Sequence, residues 1–238
     1  MRGDNMGFHH ISVLPEETIS GLVHNESGIY VDCTLGGGGH TGRIAAKLSR
    51  EGRIIGIDQD AAAISAAKQH LAEAKWRVDF VHDNFRHLAD ILHREKLDMV
   101  DGVLFDLGVS SYQLDTAQRG FSYMQDAPLD MRMDREQSLS AREVVNGYSA
   151  EELERIFHAY GEERWAKRIA AFIVQARADK PIATTGDLVA LIKKAVPAAV
   201  RHAAGGHPAK RIFQAIRIEV NDELGILAQA FRTAVQHL

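Results

Sequence analysis

The chain of 238 residues is poor in groups that form cross-links, because it contains only one cysteine, Cys33. A single thiol excludes an internal disulfide framework and a cysteine-rich zinc site. The 12 histidines show no metal-ligand spacing, so no metal site is expected. No apolar run approaches the roughly 18 residues of a membrane-spanning helix, and no basic-then-apolar stretch of a secretory signal is present. We therefore expect a cytoplasmic protein without a membrane partner.

The charge of the chain is uneven along its length. The net charge is -4, so the whole chain is not a general binder of polyanions. Residues 161–217, however, contain 11 lysines and arginines against 4 acidic residues, and Arg164, Lys167 and Arg168 share one face of a predicted helix. Such a surface suits a phosphate backbone, although an ordinary solvated helix face looks the same in sequence.

A glycine-rich stretch follows the first predicted strand, at about residues 29–33. The glycines that fit the G-x-G-x-x-G spacing are Gly37, Gly39 and Gly42. Glycine allows a tight turn and a close approach of a ligand to the backbone. A second predicted strand, about 53–57, ends at Asp58, where a carboxylate can bind ribose hydroxyls. This arrangement predicts a site for a nucleoside-bearing cofactor.

Strand and helix patterns alternate over the first 106 residues. The strands fall at about 29–33, 53–57, 78–82 and 102–106. This alternation is typical of a doubly wound, Rossmann-like α/β fold, for which we predict the strand order 3-2-1-4. Ligands bind such sheets outside the carboxyl ends of the strands. Four acids fall at these ends, namely Asp32, Asp58, Asp83 and Asp106. Aspartate also commonly caps turns and helices, so the pattern has a structural explanation as well.

The pattern becomes helical after residue 109, over a stretch too long for an ordinary connection. We therefore predict an inserted helical subdomain at 110–205 and a cofactor-binding domain made of residues 1–109 and 206–238. One helix is predicted from about residue 208 almost to Leu238. Four strands would leave the apolar fourth strand at a sheet edge. The sequence therefore indicates a C-terminally truncated chain, with further strands missing.

Two classes of cofactor fit the glycine loop and the acids. A dinucleotide places its pyrophosphate at a helix N-terminus, which requires positive potential, whereas Asp32 and Asp106 are acidic. S-adenosylmethionine carries a cationic sulfonium and an ammonium group, which acids favour. A methyltransferase is therefore favoured, and a nicotinamide-dependent Rossmann oxidoreductase is the alternative.

Asp106 is the candidate catalytic residue. Exocyclic amines are poor nucleophiles because their lone pair is delocalised, and a carboxylate that accepts from the amino group helps to restore it. Asp106 could equally contact the cofactor directly. Further along, Arg119, Phe121 and Tyr123 have the chemistry to stack an unpaired base, although packing explains them as well.

Six segments form a specific combination of motifs in order along nearly the whole chain. They are 32–40 (DCTLGGGGH), 106–111 (DLGVSS), 119–122 (RGFS), 129–134 (LDMRMD), 160–164 (YGEER) and 213–221 (FQAIRIEVN). This combination resembles the bacterial RsmH (MraW) family of small-subunit ribosomal RNA (cytosine-N4)-methyltransferases.

The resemblance implies S-adenosylmethionine-dependent methylation of the N4 amine of one cytosine in the decoding region of 16S ribosomal RNA. The substrate would be the RNA or the small ribosomal subunit, and the basic insertion would contact the RNA. The family's cofactor contacts fall on Gly38, Gly39, His40, Asp58, Phe85, Asp106 and Gln113. The oligomeric state stays open, with a homodimer among the options.

The chain departs from the family pattern in two places. Tyr112 stands where the family usually has proline, in a segment that sets Gln113. Family members also continue past the last helix into a further strand with a Ser-Phe-His-Ser segment. A non-catalytic RNA-binding fragment therefore remains a second alternative to the methyltransferase.

Overall fold

The computed structural model describes residues 14–72, 77–198 and 207–238. It divides into two compact units, one made of the residues up to Tyr112 together with Gly225–Leu238, the other of Gln113–Leu224. We refer to them as the sheet unit and the helical unit. The predicted end of the inserted subdomain at residue 205 lies outside the described residues.

The sheet unit alternates strands and helices in chain order. Its elements are α1 (Pro15–Leu22), β1 (Ile29–Asp32), α2 (Gly39–Lys47), β2 (Arg53–Asp58), α3 (Ala61–His70), β3 (Arg77–His82), a 3-10 turn (Phe85–His87), α4 (Leu88–Arg94) and β4 (Gly102–Leu104). The four strands are parallel and lie in the order β3-β2-β1-β4. The predicted fold class and strand order are confirmed.

Helices cover both faces of this sheet. On one face Tyr30 and Ile54 pack with Ile44 of α2 and Ile19 of α1. The alternate strand residues face the other side, where the core contains Val31, Ile55, Ile57, Leu88, Ile91 and Leu92. Because both faces are buried, the strands read as continuous apolar runs rather than alternating ones.

The helical unit contains α6 (Ala141–Gly147), α7 (Ala150–Ala159), α8 (Ala166–Asp179), α9 (Thr185–Ala195) and α10 (Lys210–Asn221). A short helix, α5 (Ser111–Asp115), and a 3-10 turn (Ala117–Arg119) precede them. Capping boxes begin two of these helices, with Ser140 and Glu143 at α6 and Ser149 and Glu152 at α7. Each box satisfies backbone N–H groups that a helix start leaves unpaired.

The end of the chain forms two helices where the sequence predicts one. Asp222 adopts a left-handed conformation with φ 49° and separates α10 from α11 (Glu223–Gln236). Aspartate and asparagine tolerate this region better than other non-glycine residues. Asn221, the last residue of α10, is buried and makes hydrogen bonds to the backbone of Met131 and Met133.

The second boundary between the units also differs from the prediction. Residues 206–238 were expected to join the sheet, but α10 packs against α6 and α7 of the helical unit. Only the part of α11 from Gly225 onward belongs to the sheet unit, where Ala234 joins the core. The first boundary, predicted after residue 109, falls after Tyr112.

Candidate functional site

The loop between β1 and α2 is shaped by two glycines in left-handed conformations. Gly36 has φ 50° and Gly38 has φ 82°, so these two positions, rather than Gly37 and Gly39, carry the conformations that L side chains rarely adopt. A Cβ on Gly38 would also lie 3.0 Å from Cδ1 of Leu71. Gly38 forms the N-terminal cap position of α2, and Gly39 and His40 open the helix.

Asp58, at the end of β2, ties the glycine loop to the next turn. Its Oδ2 accepts the N–H of Gly36 at 2.8 Å, and its Oδ1 accepts the N–H of Asp60 at 2.9 Å. The residue remains partly exposed. Burial raises the pKa of Asp58 to about 6, although the two backbone donors act in the opposite direction. A partly exposed carboxylate in this position has lone pairs left for hydroxyl donors.

Asp32 is enclosed, whereas the sequence predicts that all four acids lie together at the carboxyl ends of the strands. Its exposed fraction is 0%. Its Oδ2 accepts from Oγ1 of Thr41 at 2.7 Å, and its Oδ1 accepts the N–H of Thr34 at 3.1 Å. Burial raises the pKa of Asp32, although the Thr41 and Thr34 donors lower it. Asp32 therefore organises the loop from within and exposes no surface to a ligand in this structure.

Asp83, after β3, is held by two basic side chains. Nδ1 of His87 lies 2.7 Å from its Oδ1, and an Nη of Arg94 lies 2.8 Å from its Oδ2. Burial alone would raise the pKa of this carboxyl group, but these two partners hold it below its ordinary value. Asp83 thus fixes the turn that carries Phe85 and offers little to a cationic ligand.

Phe85 lies at the start of a row of three aromatic rings. Its ring meets that of Phe105 edge to face with centroids 5.6 Å apart, and Phe105 meets Phe231 in the same way at 4.9 Å. Phe85 is only partly buried. An aromatic ring braced on one side and accessible on another is suited to packing against a planar base.

Asp106 follows β4 and is positioned through its own backbone. Its N–H donates to Oγ1 of Thr34 at 2.7 Å, and the N–H of Thr34 donates to Asp32. The side chain of Asp106 is 35% exposed, and its Oδ2 lies 3.3 Å from Nε2 of His40, which is 7% exposed. Asp106 is therefore an accessible carboxylate at the carboxyl edge of the sheet.

Gln113 belongs to the helical unit and lies in α5, where it is buried. Its predicted contact with the cofactor therefore stays a prediction. The other predicted cofactor residues all lie in the sheet unit, at the carboxyl edge or in the turns that follow it. They are Gly38, Gly39, His40, Asp58, Phe85 and Asp106.

Thr34 and Thr41 are the residues of this edge that the sequence reasoning missed. Thr34 connects Asp32 to Asp106, and Thr41 bonds Asp32 from α2. The sequence could have indicated them, because Thr34 precedes and Thr41 follows the run of glycines at 36–39. Buried carboxylates need such partners, so an acid expected to be enclosed also predicts a nearby donor.

Hydrogen bonds connect segments 119–122, 129–134 and 213–221 within the helical unit. Arg119 and Phe121 are buried, and an Nη of Arg119 donates to the carbonyl of Arg132 at 2.8 Å. Asn221 accepts the N–H of Met133 and donates to the carbonyl of Met131, each at 2.8 Å. The side chains of Arg119 and Phe121 are enclosed, so this structure contradicts a base-stacking role for them. Tyr123 is half-buried and stacks on the ring of His207.

Some basic side chains of segment 161–217 bond within the helical unit, and others are exposed. Arg177 donates to the carbonyls of Val145 and Tyr148, and Arg217 pairs with Glu223. Arg164 precedes α8 rather than sharing its face with Lys167 and Arg168. The basic side chains exposed in the described part of the segment are Arg164, Lys167, Arg168, Lys180, Lys193, Lys194, Lys210 and Arg211.

Two features are absent from the described part of the chain. It contains no group of three or more histidine, cysteine, aspartate and glutamate side chains arranged to hold a metal ion. None of its helices has the length and apolar character needed to cross a membrane.

One solved structure gives only a weak likeness. NSun6 from Pyrococcus horikoshii, solved with SFG, has a TM-score of 0.35 and 21% sequence identity, covering 68% of this chain and 33% of that chain. A score this low carries no argument.

Sequence relatives are much closer. Ribosomal RNA small subunit methyltransferase H of Clostridium botulinum (strain Loch Maree / Type A3) is 58% identical over 233 residues, 98% of this chain and 74% of that protein. The protein of the same name from Clostridioides difficile (strain 630) is 57% identical over 229 residues, 96% of this chain and 73% of that protein. The profile of the MraW methylase family matches residues 7–238. The chain therefore belongs to the MraW methylase family.

Proposed function

We propose that this chain transfers a methyl group from S-adenosylmethionine to the N4 amine of a cytosine in the decoding region of small-subunit ribosomal RNA. One observation carries the proposal: two partly exposed carboxylates, Asp58 and Asp106, stand at the carboxyl edge of the sheet in a member of a methylase family. The named relatives act on small-subunit ribosomal RNA, and a cytoplasmic location fits such a substrate.

The residues at this edge fit S-adenosylmethionine in their chemistry. Asp58 offers carboxylate oxygens for ribose hydroxyls, and Phe85 offers a partly exposed ring for the adenine. Asp106 adds negative charge, which favours a sulfonium and an ammonium group. The loop beside these groups is turned by Gly36 and Gly38, which adopt left-handed conformations that L side chains rarely take. Asp58 suits the ribose of either cofactor. Asp106, however, lies beside His40 in the first turn of α2, where a diphosphate would bind, so the nicotinamide alternative is disfavoured on charge.

The proposed reaction requires the chain to activate a weak nucleophile. The bound cofactor supplies a methyl group on a positively charged sulfur. Asp106 accepts a hydrogen bond from the amine, which directs the nitrogen lone pair towards the methyl carbon. As the N–C bond forms and the S–C bond breaks, the amine becomes positively charged. Asp106 then accepts the proton that the amine must lose, a role worth about 10²- to 10⁴-fold in rate.

The exposed basic side chains of the helical unit supply a surface for the RNA backbone. Two of them lie over aromatic rings, with Arg164 5.7 Å from the ring centre of Trp165 and Arg168 5.5 Å from that of Phe172. Phosphate contacts provide affinity without sequence preference, and arginine–aromatic pairs suit unpaired bases. The surface thus supports an RNA substrate, whereas the acidic edge supports the cofactor.

Methyl transfer from radiolabelled S-adenosylmethionine to small ribosomal subunits that lack the modification tests the proposal. We expect label in the RNA, and nucleoside mass spectrometry to identify N4-methylcytidine. Asp106→Ala should reduce the single-turnover rate by about 10²-fold or more, with a smaller effect on cofactor affinity. Label on another base would overturn the cytosine assignment, and RNA binding without cofactor binding would favour the non-catalytic alternative.

A further inference from the structure

His40 lies beside the proposed acceptor. Its Nε2 lies 3.3 Å from Oδ2 of Asp106, which is within ion-pair distance, but the two groups are not aligned as a hydrogen bond in this structure. Catalytic hydrogen bonds are often long or poorly aligned in the absence of ligands and tighten in the reacting complex. The other oxygen of Asp106, Oδ1, accepts no hydrogen bond from residues in the described ranges. The two oxygens therefore have different surroundings.

The other ring nitrogen of His40 restricts the form of the imidazole. Nδ1 is buried and has no hydrogen-bond partner among the residues described. A proton on Nδ1 would leave a buried N–H unpaired and would turn the bare lone pair of Nε2 towards a carboxylate. A proton on Nε2 uses the one nearby acceptor instead. The neutral tautomer with its proton on Nε2 is therefore favoured, since buried donors without partners are costly.

The charged groups around the ring act in opposite directions. Asp106 after β4 and Asp32 at the end of β1 both interact with His40 electrostatically and favour its cation. The position of His40 in the first turn of α2 disfavours a cation, because the N-terminus of a helix carries partial positive charge. A cation would also leave Nδ1–H buried and unpaired. A ring that carries its proton on Nε2 avoids an unpaired buried N–H at Nδ1.

We infer that His40 is a positioning residue for Asp106: its Nε2–H holds Oδ2 and leaves Oδ1 facing the amine of the substrate. This inference rests on the proposed function, because it assigns Asp106 the role of acceptor. It differs from the cofactor contact that the family resemblance implies for His40. The proton released by the amine passes to Oδ1 of Asp106, and His40 keeps its own proton throughout.

Nitrogen-15 NMR of the histidine rings tests the inference directly on the chain without cofactor or RNA. His40→Gln identifies the His40 signals by their loss. We expect a protonated Nε2 and a bare Nδ1 at pH 7.5, and a loss of this tautomer preference in Asp106→Ala. A proton on Nδ1, or a ring charged at both nitrogens, would overturn the inference. That failure would leave methyl transfer, and so the proposed function, untouched.

Two substitutions of His40 then separate positioning from packing. Glutamine can donate from its amide nitrogen towards Asp106, whereas leucine cannot donate. We expect His40→Leu to lower the rate of methyl transfer about tenfold or more and His40→Gln to recover most of it.

Equal losses of rate in His40→Leu and His40→Gln would contradict the inference, because the glutamine amide keeps a donor towards Asp106 whereas leucine does not.

Discussion

Asp58 and Asp106 keep part of their carboxylates exposed, whereas Asp32 is enclosed and Asp83 is paired with His87 and Arg94. All four follow strands in the same sequence context, so their position along the chain could be predicted. Their surroundings could not, because Thr41 and Arg94 reach these carboxylates from the helices that follow. At the scale of single residues, burial and partners decide which acid is available to a ligand.

The pKa of Asp58 makes cofactor binding dependent on pH. Ionised Asp58 is a stronger acceptor for ribose hydroxyls than protonated Asp58, and its pKa of about 6 lies above the ordinary value of 3.8. We expect the dissociation constant of S-adenosylmethionine to be flat above pH 7 and to rise about tenfold per unit as the pH falls below 6. Calorimetric titrations between pH 5 and 8 measure this.

Asp58→Ala provides the comparison for that experiment. It should bind the cofactor about tenfold or more weakly at pH 7.5, because hydrogen bonds to a charged group are lost. Its remaining affinity should no longer fall below pH 6. An unchanged pH dependence in this variant would show that another group titrates.

Gly38→Ala should destabilise the sheet unit. Its φ of 82° and the 3.0 Å approach of Leu71 oppose a Cβ, and a left-handed alanine costs about 1–2 kcal/mol. Gly21→Ala is the control, because Gly21 lies in α1 with open space around its Cβ position. The control should gain about 0.5 kcal/mol, since alanine favours helix. Urea unfolding of both variants compares the two, and equal effects would contradict the assigned conformation.

At the scale of elements, the periodicity of apolar residues was sufficient to predict the sheet. The runs that contain Val31, Ile55 and Val103 are apolar on both faces, as buried parallel strands require. The break at Asp222 was not predictable from periodicity, because the apolar spacing continues through it. The residue before the break, Asn221, donates a hydrogen bond to the carbonyl of Met131, which lies 90 residues earlier in the chain.

Asn221→Leu tests whether this contact holds the helical unit together. The substitution leaves the buried N–H of Met133 and the carbonyl of Met131 without their partner. We expect a loss of about 2–4 kcal/mol in the free energy of unfolding. Lys210→Ala on the same helix is the control, since Lys210 is exposed and its replacement should change stability by less than about 0.5 kcal/mol. Similar losses in both variants would contradict the assigned role.

At the scale of the whole molecule, the number of units was predictable but not their second boundary. The helical insertion was expected from the absence of strand patterns after residue 109. The placement of α10 was not, because its apolar face fits a sheet or a helix layer equally well in sequence. Only packing against α6 and α7 decides it.

The basic surface of the helical unit should set the salt dependence of RNA binding. Lys167 and Arg168 are both exposed, and each phosphate contact contributes about 0.7–0.9 to the slope of log affinity against log salt concentration. We expect Lys167→Gln with Arg168→Gln to reduce that slope by about 1.5. Filter-binding titrations at several salt concentrations measure it.

The control for this variant removes the same charge from the sheet unit. Arg43 and Lys47 are exposed on α2, and Arg43→Gln with Lys47→Gln should leave the slope unchanged. If both double variants reduce the slope equally, RNA binding reflects overall charge rather than the helical unit.

A calorimetric comparison of S-adenosylmethionine with NAD at pH 7.5 tests the central claim, that the acidic edge of the sheet accepts a sulfonium donor. We predict one site for S-adenosylmethionine, weakened about tenfold or more by Asp58→Ala, and no measurable binding of NAD. Binding of NAD at this edge, or binding of S-adenosylmethionine that is indifferent to Asp58, would contradict the account.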